Sequence, residues 1–443
     1  MQLVRGHEAA RVVLSRRAAG VNFDATPEMR DRILASFGES LTPEQAVHRI
    51  IEDVRRRRDA ALFDYSRRID GVELSAIEVS GDEFDVARRD APAKLLGALH
   101  HAAKRIHDFH VADRGTLGRK LNVQGIGIMV QPLERVGVYV PGGRACYPST
   151  VLMTVVPAKA AGVKEVVICT PPGKDGRIPA ATLVAAEAAC ADRVFKVGGA
   201  QAIAAMAYGT ETVPAVDKIC GPGNVFVTLA KKAVFGVVDI DGLQGPSELV
   251  VVADGSANPA YCAADLLAQG EHDPLASAVL ITTSSAMAEA IEGEVITQMK
   301  SLNRGAIVAD SVLQRGTLAV VDTSEQAIDL VNLYAPEHVS LAVSDPRPYL
   351  EGIRNAGCIF VGNDCAPALG DYVAGPSHVL PTGGTARFGS PLGVRDFLKM
   401  TSVVTLPNGI SKEMAATACT IAQAEGFDAH CRSVELRTKA RHG

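Results

Sequence analysis

The spacing of apolar positions divides this 443-residue chain into three textures. Thr42-Pro43-Glu44-Gln45 is a capping box with proline at the first helical position. Ala46, Val47, Ile50, Ile51 and Val54 then follow on one face at helical spacing. A second helix is expected from Asp59 to Arg68 and a third near Leu95–His110, so residues 1–120 read as mainly helical. From Gly125 the period shortens: Gly125–Gln131 and Val136–Val140 predict strands. As far as Val361, Val/Ile-rich runs then alternate with Ala-rich helical runs. The strand runs include Glu165–Thr170, Arg193–Val197, Lys218–Cys220, Glu248–Ala253, Ala278–Thr283, Leu318–Val321 and Cys358–Val361. The helical runs include Thr150–Ala161, Ala180–Ala189, Val225–Val234, Pro259–Gln269 and Ser324–Tyr334. After Arg395 the chain reads as helical again, with Met414–Glu425 the clearest stretch and Gly426 its C-cap.

A β–α alternation of this kind predicts parallel sheets covered by helices on both faces. The strands are too many for one compact sheet, so two α/β units are expected, dividing near Gly245. The fold class is α/β: two Rossmann-like parallel-sheet units with helical N- and C-terminal segments. The expected boundaries are 1–131 (helical), 132–247 (first α/β unit), 248–390 (second) and 391–443 (helical). No fixed-period repeat or low-complexity segment interrupts them.

Composition narrows the function. Hydrophobic residues make up 47% of the chain, enough for sizeable cores, and the net charge is −5, which argues against a nucleic-acid face. The one basic run, Arg55–Arg58, reads as a solvated helix end. Nine cysteines without CxxC spacing read as buried small hydrophobes in a reducing compartment, not as a disulfide framework. The start, Met1-Gln-Leu-Val-Arg-Gly, lacks a signal-peptide core, and no apolar run approaches membrane-spanning length. A soluble, cytoplasmic protein is expected, with no nucleic-acid or membrane partner.

Candidate chemistry centres on Asn332-Leu-Tyr-Ala-Pro-Glu-His-Val-Ser340. Pro336 ends a helical run, and Glu337 and His338 follow on a turn at a strand end, a placement suited to proton transfer. A helix end whose charges face water reads equally well from this stretch alone. Ligands of open parallel sheets collect at carboxyl strand ends. There Tyr139-Val-Pro-Gly-Gly143, Val197-Gly-Gly-Ala-Gln201 and Cys220-Gly-Pro-Gly-Asn224 offer backbone N–H groups suited to phosphates. None is the Gly-x-Gly-x-x-Gly dinucleotide fingerprint, and ordinary turn geometry explains each in isolation. His100, His101, His107 and His110 read as a solvated helix face, not a metal site. After residue 110 the internal histidines are only His272, His338, His378 and His430, all near Gly, Pro or carboxylates. Two histidines, a carboxylate and an amide oxygen from this set would suit a tetrahedral or octahedral metal, although no local spacing demands it. Ser247 and Ser377 lack the closing glycine of a nucleophile elbow.

Taken in order, the motifs resemble the histidinol dehydrogenase family over about Thr42 to His430. They are Arg135-Val-Gly-Val-Tyr-Val-Pro-Gly-Gly143, Val197-Gly-Gly-Ala-Gln-Ala-Ile-Ala204, Gly221-Pro-Gly-Asn224, Gly245-Pro-Ser-Glu248, Gln269-Gly-Glu-His272, Ala335-Pro-Glu-His338, Gly370-Asp-Tyr372 and His378-Val-Leu-Pro-Thr382. Glu425 and His430 keep the family's separation of five residues. The resemblance implies zinc ligands at Gln269, His272, Asp371 and His430 and an acid/base pair at Glu337 and His338. It implies NAD contacts at Tyr139, Gln201 and Asn224. Substrate contacts would fall on Ser247, His378 and Glu425, with the zinc ligands and His338 alongside. The N-terminal segment would pack on the second α/β unit. A homodimer is also implied, in which the C-terminal segment crosses to complete the partner's site. Two positions depart from the family pattern: Gln244 and Gly270 both stand where it has Ala.

The implied reaction oxidises L-histidinol to L-histidine through an aldehyde with two NAD, the last step of histidine biosynthesis. Three other readings stay open: a zinc- and NAD-dependent dehydrogenase of another amino alcohol or polyol, a zinc hydrolase working on water through Glu337 and His338, and a non-catalytic α/β binding protein.

Overall fold

A computed structural model describes residues 1–15, 25–116, 126–142, 146–271, 273–302, 308–406 and 408–439. The strands are β1 (Gln2–Arg5), β2 (Ile126–Pro132), β3 (Arg135–Tyr139), β4 (Glu165–Thr170), β5 (Arg193–Lys196), β6 (Lys218–Cys220), β7 (Asp239–Ile240), β8 (Glu248–Ala253), β9 (Ser277–Thr282), β10 (Thr317–Val320), β11 (His338–Ala342), β12 (Cys358–Val361) and β13 (Leu398–Val404). The chain forms two compact units, one of Met1–Arg114 with Leu133–Phe397, the other of Gly115–Pro132 with Leu398–Gly443.

The larger unit holds two fully parallel sheets. One has five strands in the order β5-β4-β3-β6-β7, the other six in the order β1-β10-β9-β8-β11-β12. Parallel sheets need cover on both faces, and their central strands are accordingly buried along almost their whole length. In β8 every residue from Glu248 to Ala253 is buried. Val251 and Leu280 face a core shared with Leu266 of the helix Pro259–Gly270, whereas Val250 and Ile281 face Leu330 of the helix Ser324–Tyr334.

The N-terminal segment, expected to pack on the second α/β unit, divides its packing between the two sheets. β1 extends the six-stranded sheet beside β10, and the helix His7–Leu14 packs with it. The capped helix Pro43–Arg57 instead lays Val47, Ile50, Ile51 and Val54 against Ala202, Ile203 and Met206 of the helix Gly199–Tyr208, beside the five-stranded sheet. Amphipathic spacing identifies the buried face of a helix but not the surface that buries it. The histidine-bearing helix runs Ala93–Thr116, and His110 is fully buried on it, not solvated.

In the smaller unit β13 pairs antiparallel with β2 over Leu398–Val404, a stretch read from sequence as helical. The helices Lys412–Ala424 and Asp428–Lys439 form a hairpin closed by a disulfide between Cys419 and Cys431. This corrects the reading of all nine cysteines as unpaired: the hairpin brings the two Cα atoms to 4.4 Å, within bridging distance. Among the described residues no helix is long and apolar enough to cross a membrane.

Candidate active site

The helix Ser324–Tyr334 is stopped by Ala335, which adopts a left-handed conformation (φ 53°), and by Pro336 behind it. A non-glycine residue held there is an uncommon arrangement, and it turns the chain sharply into β11. Glu337 and His338 are delivered buried at the amino edge of the six-stranded sheet. The register pairs His338 with Leu249 and Cys358, so Glu337 lies alongside Glu248 at the start of β8. Glu337 Oε2 accepts the Glu248 backbone N–H at 2.8 Å, and Glu248 Oε1 accepts the Gly383 N–H at 3.0 Å. His338 Nδ1 lies 3.6 Å from Glu337 Oε2, and its ring packs on Phe360.

Burial drives the Glu337 carboxyl well above the ordinary carboxylate range. The Glu248 N–H opposes that shift, and the negative charges of Glu248 and Asp371 add to it. An acid shifted towards neutrality and set beside an imidazole is equipped to accept and return protons.

The same edge gathers the other expected residues of this unit. The helix Pro259–Gly270 runs back across the sheet and ends there, with Gln269 buried and its Nε2 without a hydrogen-bond partner. Asp371 lies on the short helix Ala368–Tyr372, close enough for its charge to act on Glu337. Asp371 and Glu271 both act on the hydroxyl of Tyr372. His378 Nδ1 is 3.0 Å from the Asp371 carbonyl oxygen. Ser247 is half-buried immediately before β8. Turned end over end, the orphaned end of the buried Gln269 amide would present its oxygen, a donor atom that zinc accepts together with a carboxylate oxygen such as that of Asp371.

His272 lies outside the described residues. Glu425 and His430 are exposed in the smaller unit, on either side of the hairpin turn, with the His430 ring against Phe427. Among the described residues only Cys419, Cys431 and Glu435 group as potential metal donors, and the two sulfurs are joined to each other.

The cofactor candidates sit on the other sheet, at its carboxyl edge. Tyr139 ends β3, is buried, and its hydroxyl accepts the Gly199 N–H at 3.1 Å. Gln201 is fully buried, with neither amide atom hydrogen-bonded. Asn224 caps the helix Val225–Val234, its Oδ1 accepting from the N–H groups of Phe226 and Val227 at 3.0 and 3.2 Å. Gly221 has φ 110°, and a Cβ there would strike the Tyr139 carbonyl oxygen.

Beneath this turn lies a polar network whose charged members, Lys231 and Asp241, carry no sequence signal of their own. Lys231 Nζ donates to the Gly221 carbonyl (3.0 Å), to Gln244 Oε1 (2.8 Å) and to the Asp241 carboxylate, all but sealed from solvent. Asp241 Oδ2 in turn accepts the Gly221 N–H at 2.7 Å. The sequence reading also passed over Glu248 as a functional residue, although a single carboxylate opening an apolar strand is a visible signal.

The search of carboxyl strand ends reaches one half of the site only. In the six-stranded sheet Glu337, His338, Ser247 and Gln269 lie at the amino edge. Helices that run antiparallel to the strands deliver their last residues there, so Gln269-Gly-Glu and Pro-Glu-His follow helices, not strands.

Two parallel sheets, one carrying glycine turns at its carboxyl edge and the other the buried Glu337–His338 pair, form the frame of this α/β oxidoreductase. The histidinol dehydrogenase family model matches residues 38–438, and the chain belongs to that family. It is 49% identical to the histidinol dehydrogenase of Dehalococcoides mccartyi strain CBDB1, over 99% of this chain and 100% of that one. It is 48% identical to that of Deinococcus radiodurans, with the same coverage. The crystal structure of histidinol dehydrogenase from Elizabethkingia anophelis superposes with a TM-score of 0.88 at 34% identity, covering 100% of this chain and 99% of that one.

Proposed function

We propose that this enzyme oxidises L-histidinol to L-histidine through the aldehyde, reducing two NAD⁺, as the last step of histidine biosynthesis in the cytoplasm. The observation that carries the reading is the buried Glu337 carboxyl, shifted upward and paired with His338 at the edge where Gln269, Asp371 and His378 converge. Zinc, held by Gln269, His272, Asp371 and His430, would supply a Lewis acid that binds and orients the substrate amine and imidazole.

The chain's own groups account for the proton traffic. NAD⁺ would supply the hydride acceptor, and in the first oxidation His338 takes the hydroxyl proton. The aldehyde must then add water. Glu337, as carboxylate, takes a proton from that water, and its raised pKa makes it a stronger base than an exposed glutamate. The Glu248 N–H at 2.8 Å stabilises the ionised form that this step requires. As the water adds, His338 returns its proton to the aldehyde oxygen and, neutral again, takes a hydroxyl proton of the resulting hydrate in the second oxidation, while Glu337 releases its own proton to solvent. Tyr139, Gln201 and Asn224 hold the dinucleotide, and Ser247, His378 and Glu425 form the polar wall around the substrate.

Glu425 and His430 are both exposed on the hairpin of the smaller unit, which supports a homodimer in which that hairpin completes the partner's site. Product analysis after turnover with L-histidinol and NAD⁺ tests the reading. L-histidine as the end product supports it, and accumulation of the aldehyde alone would refute the four-electron assignment.

A further inference from the structure

Asp70 closes the short helical turn Ser66–Asp70 and is followed by Gly71 in a left-handed conformation. Its Oδ2 is buried without a hydrogen-bond partner. Among the described residues, the adjacent cations Arg67 and Arg68 both bind Asp64, at 3.1 and 2.6 Å. Burial alone pushes the Asp70 carboxyl up to about 6, with no donor to offset it. A carboxylate kept in such a place without a partner costs stability and calls for an explanation.

Its surroundings supply one. The helix Asp59–Tyr65, continuous with the Asp70 turn, packs on the helix Gly199–Tyr208, which carries Gln201. The Asp70 charge also acts on the hydroxyl of Tyr139, itself bonded to Gly199 N. The fully buried Gln201 amide is likewise without partners. At the carboxyl edge of the five-stranded sheet, then, an acceptor-only carboxylate and an amide both lack the groups they would bind.

We infer that Asp70 is a further cofactor-binding residue, its carboxylate accepting hydrogen bonds from a vicinal diol of a ribose in NAD. A carboxylate has two acceptor oxygens and no proton to give at neutral pH, which matches a pair of hydroxyl donors and repels the pyrophosphate. The inference rests on the reading of this edge as the dinucleotide site.

The test is isothermal titration of NAD⁺ into the full-length parent and Asp70→Asn, with thermal melts of both proteins in the absence of cofactor. The variant is close to isosteric and removes a buried unpaired charge, so its cofactor-free melting temperature should equal or exceed the parent's. Its NAD⁺ affinity should fall about 10–100-fold, the loss expected for hydrogen bonds to a charged group. Affinity within about twofold of the parent would overturn the role of Asp70, as would a lowered cofactor-free melting temperature, which marks a structural part. A parent that binds no NAD⁺ would overturn the cofactor reading itself, and Asp70 with it.

Discussion

Glu337 and Glu248 stand side by side at the start of two adjacent parallel strands, the Glu337 carboxyl taking the Glu248 backbone N–H at 2.8 Å. One glutamate thus supplies both a donor that favours ionisation of the other and a charge that opposes it. The balance, dominated by burial, keeps Glu337 well above an ordinary carboxylate. For a group that must take a proton from water and give it up again, that is the useful range.

Glu337→Gln should therefore damage the two half-reactions unequally. Supplied with L-histidinaldehyde, the variant should lose about 10²–10⁴-fold in rate, the usual worth of a positioned general base. Its alcohol-to-aldehyde step should fall much less. Equal losses in both half-reactions would remove the water-activating role from Glu337.

The same residue makes a stability prediction. Its folded pKa lies above the unfolded value, so the folded state binds the proton more tightly. That stabilisation is complete below the unfolded pKa and is lost as pH rises through the folded pKa. Relative to the parent, Glu337→Gln should gain stability across this upward window in urea titrations at a series of pH values. A parallel pH dependence in the two proteins would contradict the shift.

Zinc retention should depend on both expected ligands of the larger unit. Gln269→Ala and Asp371→Asn should each lower zinc content after dialysis, with affinity falling by at least the roughly 10–100-fold that even outer-shell changes cost. Full zinc occupancy in either variant, measured by elemental analysis, would strike that residue from the ligand set.

The packing around Gly270 leaves no room for a side chain. A Cβ there would lie 2.6 Å from Val312 Cγ2 and 2.7 Å from Ser311 Oγ, while Ser311 Oγ donates to the Gly270 carbonyl at 3.0 Å. Gly270→Ala should cost about 1–3 kcal/mol through overpacking. Combining it with Val312→Ala should recover part of that loss in a double-mutant cycle. Strict additivity would show that the two positions do not compete for the same space.

The buried Lys231 should be the most sensitive point of the cofactor turn. Lys231→Met leaves Asp241 desolvated and unpaired, at a cost of about 3–5 kcal/mol. The urea midpoint reads this directly, and a loss below about 1 kcal/mol would show that Asp241 finds another partner.

Much of this was legible in the residues themselves. Alternating Val/Ile and Ala runs marked the interior strands because both faces of a parallel sheet are buried, so β4, β8 and β9 stand out as apolar runs. Pro336 marked the turn that carries Glu337 and His338. What escaped were features whose cause lies far along the chain. β13 is exposed along almost its whole length, and it is a strand because β2 pairs with it from a distant part of the sequence. The Cys419–Cys431 bridge depends on a hairpin geometry that spacing does not encode. The amino-edge location of Gln269 depends on which way a helix returns across its sheet, and the unpartnered carboxylate of Asp70 could be seen only once its neighbours were in place.

The central claim is tested most directly by following NADH formed from a limiting, measured amount of L-histidinol, with and without a zinc chelator. The account predicts two NADH per L-histidinol consumed, loss of activity on chelation, and recovery when zinc is returned. One NADH per substrate, or full turnover in enzyme shown to be free of metal, would contradict it.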